Sequence, residues 1–175
     1  APTIAEAVVR LGRSLLDAAN RGEQFAEGER SLREGMTLAA EVGDNRLLAK
    51  TASHLFVVLA YQQRRIQEAD AMLPMVEGLV TLAGNDIEQR LEVLMGRGMI
   101  LSQRRKFPEA IAAFEQAIEL SPRAHSDYRG YGAYASGDIG KIDLELRRYA
   151  DAVPRFQAEL DGIRKEVGQR HPRVV

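Results

Sequence analysis

The sequence contains no cysteine and no tryptophan, and only 6% of its 175 residues are aromatic. Without cysteine the chain can form neither a disulfide bond nor a thiolate metal site. The absence of cysteine fits a reducing compartment. The first residues do not show the basic segment followed by an apolar segment that is typical of a signal peptide. A cytoplasmic location is therefore expected.

An excess of charge of one sign and a long apolar run are also absent. The 24 basic and 25 acidic residues give a net charge of −1, and the longest strongly apolar run covers only residues 55–61. This balance does not favour nucleic acid or a membrane surface as partner, and the run is too short to cross a bilayer. The abundant residues are helix formers, namely Ala, Leu, Glu, Arg and Gln, and no segment alternates like a strand. We therefore expect an all-α protein whose partner is a protein or peptide.

A short pattern recurs at spacings of 41, 41 and 42 residues. Each copy has a large apolar anchor, any residue, an acid, and then Ala or Gly; the anchors are Phe25, Ile66, Phe107 and Tyr149. Seven positions after each anchor comes another large apolar residue: Leu32, Leu73, Phe114 and Phe156. Repetition at this period predicts stacked supersecondary units.

Each unit contains two amphipathic helical stretches separated by a short break. The predicted units are about 4–43, 44–85, 86–125 and 126–168, which together form a single array over 4–168. Residues 169–175 are interpreted as the start of a further truncated repeat or a tail. Because neither end shows the polar cap of a terminal repeat, we expect a fragment of a larger protein.

The charges at the turns have a local explanation. An acid falls in the first turn of each second helix (Glu27, Glu68, Glu109 and Asp151), and basic clusters close three of the first helices, at 64–65, 104–106 and 147–148. Each such charge complements the helix dipole, typically by about 0.3–1 kcal/mol. The alternative is a basic ridge for a phosphate-bearing partner. The small residue after each acid is expected where two helices pass closely.

These residues resemble the tetratricopeptide repeat. The third unit matches best, at Leu94, Gly98, Leu101, Ala110, Phe114, Ala117 and Pro122, and the fourth supplies Gly140, Ala152 and Phe156. The 41–42-residue period is similar to the variant found in kinesin light chains. The resemblance implies a right-handed α-solenoid of about four antiparallel helix pairs, whose first helices line a concave groove.

The resemblance also implies which residues face that groove. The candidate partner-binding residues are Arg10, Arg13, Asp17, Asn20, His54, Val58, Tyr61, Met95, Met99, Gln103, Tyr131, Tyr134 and Lys141. This lining is basic at one end, apolar in the middle and mixed at the other end. It suits a peptide or helix with an acidic end and an apolar anchor. For Met95 and Met99, ordinary core packing is the alternative.

The segment 128–140 combines three tyrosines and four glycines. Tyr128, Tyr131 and Tyr134 are predicted on one helical face, and each glycine in that helix costs about 0.8–1.0 kcal/mol relative to Ala. One interpretation is a tyrosine recognition stripe, since tyrosine is enriched in binding hot spots. The other is that the glycines admit close helix packing and the tyrosines fill the gaps.

No catalytic, cofactor or metal site is predicted. The glycines near residue 130 follow a helix and a turn rather than the strand that a dinucleotide fingerprint needs. The three histidines are widely separated in sequence, and no nucleophile elbow is present. Carboxylates such as Asp17 and Glu92 are interpreted as solvated helix faces.

The leading hypothesis is a non-enzymatic scaffold that binds a peptide or helix segment in its groove. The alternative is a regulatory sensor module of a bacterial signalling protein, either a kinase or a transcriptional regulator. In that module, a small peptide or metabolite would change the pitch of the array. A third interpretation is self-association through uncapped terminal repeats.

Overall fold

The computed structural model describes residues 3–17, 22–125 and 128–167. Within these ranges the chain forms eight α-helices and no strand, which confirms the all-α prediction. The helices are α1 (Ile4–Asp17), α2 (Gly22–Glu41), α3 (Asn45–Val57), α4 (Ile66–Leu82), α5 (Ile87–Gln103), α6 (Phe107–Leu120), α7 (Tyr131–Glu145) and α8 (Tyr149–Val167). A π-helical turn (Val58–Gln62) continues α3, and a 3-10 turn (Ser121–Arg123) follows α6. The predicted site residue Asn20, the side chain of Asp17 and the predicted tail 169–175 lie outside the described residues.

The helices pack as four hairpins that stack side by side. Helix α1 packs on α2, α3 on α4, α5 on α6 and α7 on α8, and each hairpin contacts the next through α2 with α3, α4 with α5 and α6 with α7. The first helices α3, α5 and α7 also contact one another in sequence. This is the arrangement of a tetratricopeptide-like solenoid. Each hairpin lies within one of the four predicted units, whose boundaries stay a prediction.

Small residues permit the close helix contacts inside each hairpin. Gly28, Ala69, Ala110 and Ala152 are all buried, as expected for the position that follows each acid. At Gly28, an added Cβ atom would lie 2.7 Å from Cγ of Leu16. A larger side chain there would push α1 and α2 apart.

The turns of the second, third and fourth hairpins share one backbone conformation. Arg64, Arg105 and Arg147 follow the first helices of three successive hairpins, with φ values of 55°, 58° and 60°. After Arg105, the amide of Lys106 donates to the carbonyl of Leu101 at 2.9 Å, which closes the helix end as in a Schellman motif. The basic clusters therefore extend past the ends of these helices.

Helix α7 is shorter than the sequence predicts. It begins at Tyr131, so that Tyr128 lies in the connection from α6 rather than on the helix. Pro122 sits in the 3-10 turn after α6, and Gly130 directly precedes α7. Glycine is a poor helix former, which is consistent with the start of the helix after Gly130. The tyrosine pattern therefore begins before the helix does.

The hydrophobic core of the stack consists of two clusters. The first surrounds Leu55, Phe56 and Leu59, and the second surrounds Phe114 and Ile139. No helix among the described residues has the length and hydropathy that a membrane span requires.

A polar recess on the concave face

A recess of about 370 Å³ lies where α3, α5 and α7 meet. Its apolar wall comes from Val57, Val58 and Met95, and its aromatic wall from Tyr61, Tyr131 and Tyr134. The remaining lining side chains are polar or charged: His54, Gln62, Asp138, Lys141 and Glu159. Three successive hairpins thus contribute to one site of the size expected for a small ligand or an inserted side chain.

Tyr61 reaches this recess from the π-helical turn. The amide of Gln63 donates to the carbonyl of Val58 at 3.1 Å, a spacing of five residues that widens the helix end. Such turns interrupt α-helices frequently at functional sites. Both Val58 and Tyr61 lie in this turn and line the recess.

A hydrogen-bond chain crosses one side of the recess. The Tyr61 hydroxyl donates to Asp138 at 2.6 Å, and the Lys141 ammonium donates to the other oxygen of the same carboxylate at 2.8 Å. Burial raises the pKa of Tyr61 well above its usual value, and the Asp138 charge raises it further. The phenol therefore stays protonated and continues to donate to Asp138.

A second polar cluster lies behind the recess. The Glu92 side chain is only 1% exposed and accepts from the Ser53 hydroxyl at 2.5 Å and from Nδ1 of His54 at 3.0 Å. Its expected placement on a solvated helix face is therefore wrong, because the packing of α3 on α5 encloses it. His54 lines the recess, and its Nε2 is buried without a hydrogen-bond partner among the described residues.

Glu159 enters the recess from α8, a second helix of a hairpin. An added Cβ at Gly137 would lie 2.1 Å from Oε2 of Glu159, so the glycine leaves the space through which this carboxylate passes α7. Burial raises the pKa of Glu159; the Lys141 charge lowers it and the Asp138 charge raises it, and the net shift is upward. The Lys141 charge therefore does not fully offset the effect of burial on the Glu159 carboxylate.

The first hairpin closes one edge of the concave face. Arg13 on α1 donates to the Tyr128 hydroxyl at 3.2 Å, although the two residues are 115 positions apart. The Tyr128 ring stacks on Tyr131, with centroids 5.5 Å apart and planes 14° from parallel. Burial, as the largest cause, raises the pKa of Tyr128 to about 12, against the opposing charge of Arg13. The contact of Arg13 with Tyr128 connects α1 to the segment that precedes α7.

Comparison with known proteins bears on the third hairpin. Residues 91–124 match the family described as Tetratricopeptide repeat. This match supports a tetratricopeptide-repeat protein. It covers most of α5, all of α6 and the 3-10 turn, whereas the 41–42-residue variant of kinesin light chains stays a prediction.

Two curated bacterial proteins share a weaker similarity with the chain. They are the uncharacterized HTH-type transcriptional regulators YeiE of Escherichia coli strain K12 and of Escherichia coli O157:H7, each 30% identical over 101 residues. The alignment covers 53% of this chain and 34% of each relative. The chain thus spans about a third of the length of these relatives.

The recess of this tetratricopeptide-like stack gathers seven of the predicted groove residues: His54, Val58, Tyr61, Met95, Tyr131, Tyr134 and Lys141. Met95 is also buried in the core. Met99 is buried in the core and does not line the recess, and a guanidinium nitrogen of Arg64 lies 3.2 Å from its sulfur. Arg10 and Gln103 are exposed and do not line the recess. Whether any of these residues contacts a partner stays a prediction.

The basic turns of the repeats are paired with carboxylates. Arg65 contacts Glu29 at 2.5 Å and also Glu68, and Arg104 contacts Asp70 at 2.5 Å. In the later turns, the pairs are Arg105 with Glu145 at 3.0 Å and Arg148 with Asp143 at 3.9 Å. The pairs of Arg65 with Glu29, Arg104 with Asp70 and Arg105 with Glu145 connect neighbouring repeats, and the other two lie within one hairpin. This pairing favours a structural interpretation over a phosphate-binding ridge.

The polar cluster around Glu92 differs from a catalytic triad. In a triad the nucleophile contacts the histidine, whereas Ser53 contacts the carboxylate. Among residues 3–17, 22–125 and 128–167, no group of three His, Asp or Glu side chains converges as metal ligands would. The carboxylates that line the recess are suited to binding a group that donates hydrogen bonds.

Proposed function

We propose that this chain is a protein-interaction module that binds a peptide or helical segment of a partner on its concave face, with one side chain of the partner inserted in the recess. The observation that carries the proposal is the recess itself, where residues of α3, α5 and α7 meet around a buried and unpartnered histidine nitrogen. The similarity to the tetratricopeptide repeat supports the same class of function.

The shape of the concave face supports an extended ligand with a single anchor. Arg13 on α1 contacts Tyr128, whose ring stacks on Tyr131, and Tyr131 lines the recess. Tyrosine is enriched at binding hot spots, where an anchor side chain fills a pocket. The exposed basic residue Arg10 on α1 suits an acidic group elsewhere on the same segment.

Selection from a random-peptide display library against the purified chain tests the proposal. We expect peptides that bind the wild-type chain and lose most of their affinity for Tyr134→Ala and Met95→Ala. The matched controls are Tyr149→Ala and Met75→Ala, because both residues are exposed and lie away from the recess. Peptides that bind all four variants equally, or a selection that yields none, would contradict the proposal.

The sensor alternative predicts a different consequence of binding. A sensor would change the pitch of the array when the ligand binds, whereas a scaffold would keep its shape. Small-angle scattering of the chain with and without a selected peptide separates the two. The scaffold predicts the same scattering profile apart from the added mass of the peptide.

A further inference from the structure

We infer that the recess is selective for a cationic side chain, an arginine or lysine of the partner segment. The aliphatic stem would lie against Val57, Val58 and Met95, and the charged head would lie among the hydrogen-bond acceptors at the opposite side. This inference rests on the proposed function in one respect, namely that the basic side chain belongs to a peptide partner. The chemistry of the recess can be tested without any peptide.

The charge of the lining favours a cation. The lining contains the carboxylates of Asp138 and Glu159 and one ammonium, that of Lys141. Lys141 pairs with Asp138 at 2.8 Å, and Glu159 has no ion pair with any described residue. The net charge of the lining is therefore negative, and the carboxylate without a described partner of opposite charge is that of Glu159. A guanidinium or ammonium group beside Glu159 would supply the positive charge that pairs with this carboxylate.

The unpartnered nitrogen of His54 is a further candidate acceptor. Nδ1 of His54 lies 3.0 Å from Glu92, and a carboxylate can only accept, so Nδ1 carries a proton; we take the form of the ring in which this is its only proton. Nε2 then presents a lone pair, and the residue is more than nine-tenths buried. Buried polar atoms are nearly always hydrogen-bonded in folded proteins. Arginine and lysine side chains carry only donors, which matches a recess rich in acceptors.

The remaining walls suit the other parts of such a side chain. The rings of Tyr61, Tyr131 and Tyr134 line the recess, and aromatic faces attract cations. Long basic side chains commonly lay their methylene stems along apolar surface while the charged head stays among polar groups. The apolar wall and the polar end of the recess offer these two environments in one site.

The test uses small probes and the intact chain. N-acetyl-arginine amide is titrated while backbone amide shifts are followed by NMR, and N-acetyl-citrulline amide serves as the neutral probe of nearly the same shape. We expect saturable shift changes at Tyr134, Asp138 and Met95 with the arginine probe, and binding of the citrulline probe weaker by about tenfold. Equal affinity for both probes, or shift changes confined to other surfaces, would overturn the inference.

Two variants test whether the Glu159 carboxylate accounts for the binding of the arginine probe. Glu159→Gln is expected to weaken the arginine probe by about tenfold, since it removes a charge-assisted hydrogen bond. Asp161→Asn is the matched control, because Asp161 lies on the same helix, contacts Gln157 and Arg164, and does not line the recess. Unchanged binding to Glu159→Gln would also overturn the inference.

The two proposals fail separately. If selected peptides depend on Tyr134 and Met95 but carry no common basic residue, the cation preference is wrong and the interaction function stands. If the arginine probe binds in the recess but no peptide is selected, the recess chemistry stands and the proposed function is wrong.

Discussion

The hydroxyl of Tyr61 donates a hydrogen bond of 2.6 Å to Asp138, and this contact joins the second helix hairpin to the fourth. In an idealised solenoid each repeat contacts only its neighbours. Here the contact skips the third hairpin, and the bond from Arg13 to Tyr128 likewise connects the first hairpin to the segment before α7. Polar contacts across the concave face thus supplement the stacking of neighbours.

Replacing Tyr61 by Phe is expected to destabilise the fold. The substitution leaves the buried Asp138 carboxylate with the Lys141 ammonium as its remaining donor among the described side chains, and it costs about 1–2 kcal/mol of unfolding free energy. Chemical denaturation followed by circular dichroism measures the change. Tyr149→Phe is the control; because Tyr149 is exposed, its stability should match the wild type, and equal stability of both variants would show that the Asp138 contact contributes little.

Two glycine substitutions should change stability in opposite directions. An added Cβ at Gly96 would lie 2.2 Å from Cε1 of Phe56, inside the core, so Gly96→Ala is expected to cost about 1–3 kcal/mol. An added Cβ at Gly78 on α4 meets no atom within 4 Å, and Gly78→Ala should gain about 0.5–1 kcal/mol from helix propensity. Thermal unfolding of both variants checks the pair. A stable Gly96→Ala variant would contradict the close packing of α3 on α5.

Removal of the Glu92 carboxylate should be among the most damaging substitutions in the chain. Glu92→Ala leaves Nδ1 of His54 without its acceptor in a buried site and leaves the Ser53 hydroxyl only the carbonyl of Lys50 at 3.3 Å, at a cost of about 2–3 kcal/mol. Glu145→Ala is the control, because this exposed residue has the exposed Arg105 as its ion-pair partner among the described side chains. Denaturation midpoints that fall equally for both variants would argue against a buried role for Glu92.

The ion-pair network of Glu29 predicts a dependence of stability on acid. Burial alone raises the pKa of Glu29, but the hydrogen bonds and charges of Arg33 and Arg65 outweigh it, so the pKa lies below its ordinary value of 4.5. A lowered pKa in the folded state contributes stability above pH 4.5, which is lost as the pH falls through the folded-state pKa.

Glu29→Gln should therefore reduce the difference in unfolding free energy between neutral and acidic solution. Urea denaturation across a series of pH values below neutrality measures this difference in unfolding free energy. Glu34→Gln on the same helix, at an exposed position, is the control. An unchanged pH profile for Glu29→Gln would mean that the pairs with Arg33 and Arg65 do not survive in solution.

The sequence predicts the repeats well because their causes are local. The period of 41–42 residues, the small residues that follow each acid, and the breaks between helices all reflect how two helices pack near a short turn. These features appear in the sequence as hydrophobic spacing and as Gly or Pro. The four hairpins and their order follow from them.

The recess depends on relationships that a linear pattern does not contain. The π-helical turn that carries Tyr61 is a matter of backbone geometry, and Glu159 reaches the recess only because Gly137 on another helix leaves it room. Glu92 has the sequence context of a solvated residue and is buried where α5 packs on α3 of the preceding hairpin. Groove positions taken from the first helices alone therefore omit Glu159.

The methionine methyl groups offer the most direct test that the recess receives the partner. Met95 lines the recess, whereas Met75 is exposed on α4, so one methyl NMR spectrum contains both the site and its control. On titration with a display-selected peptide, the Met95 methyl resonance should shift and saturate, while the Met75 resonance stays in place. A shift at Met75 with no change at Met95 would contradict binding in the recess.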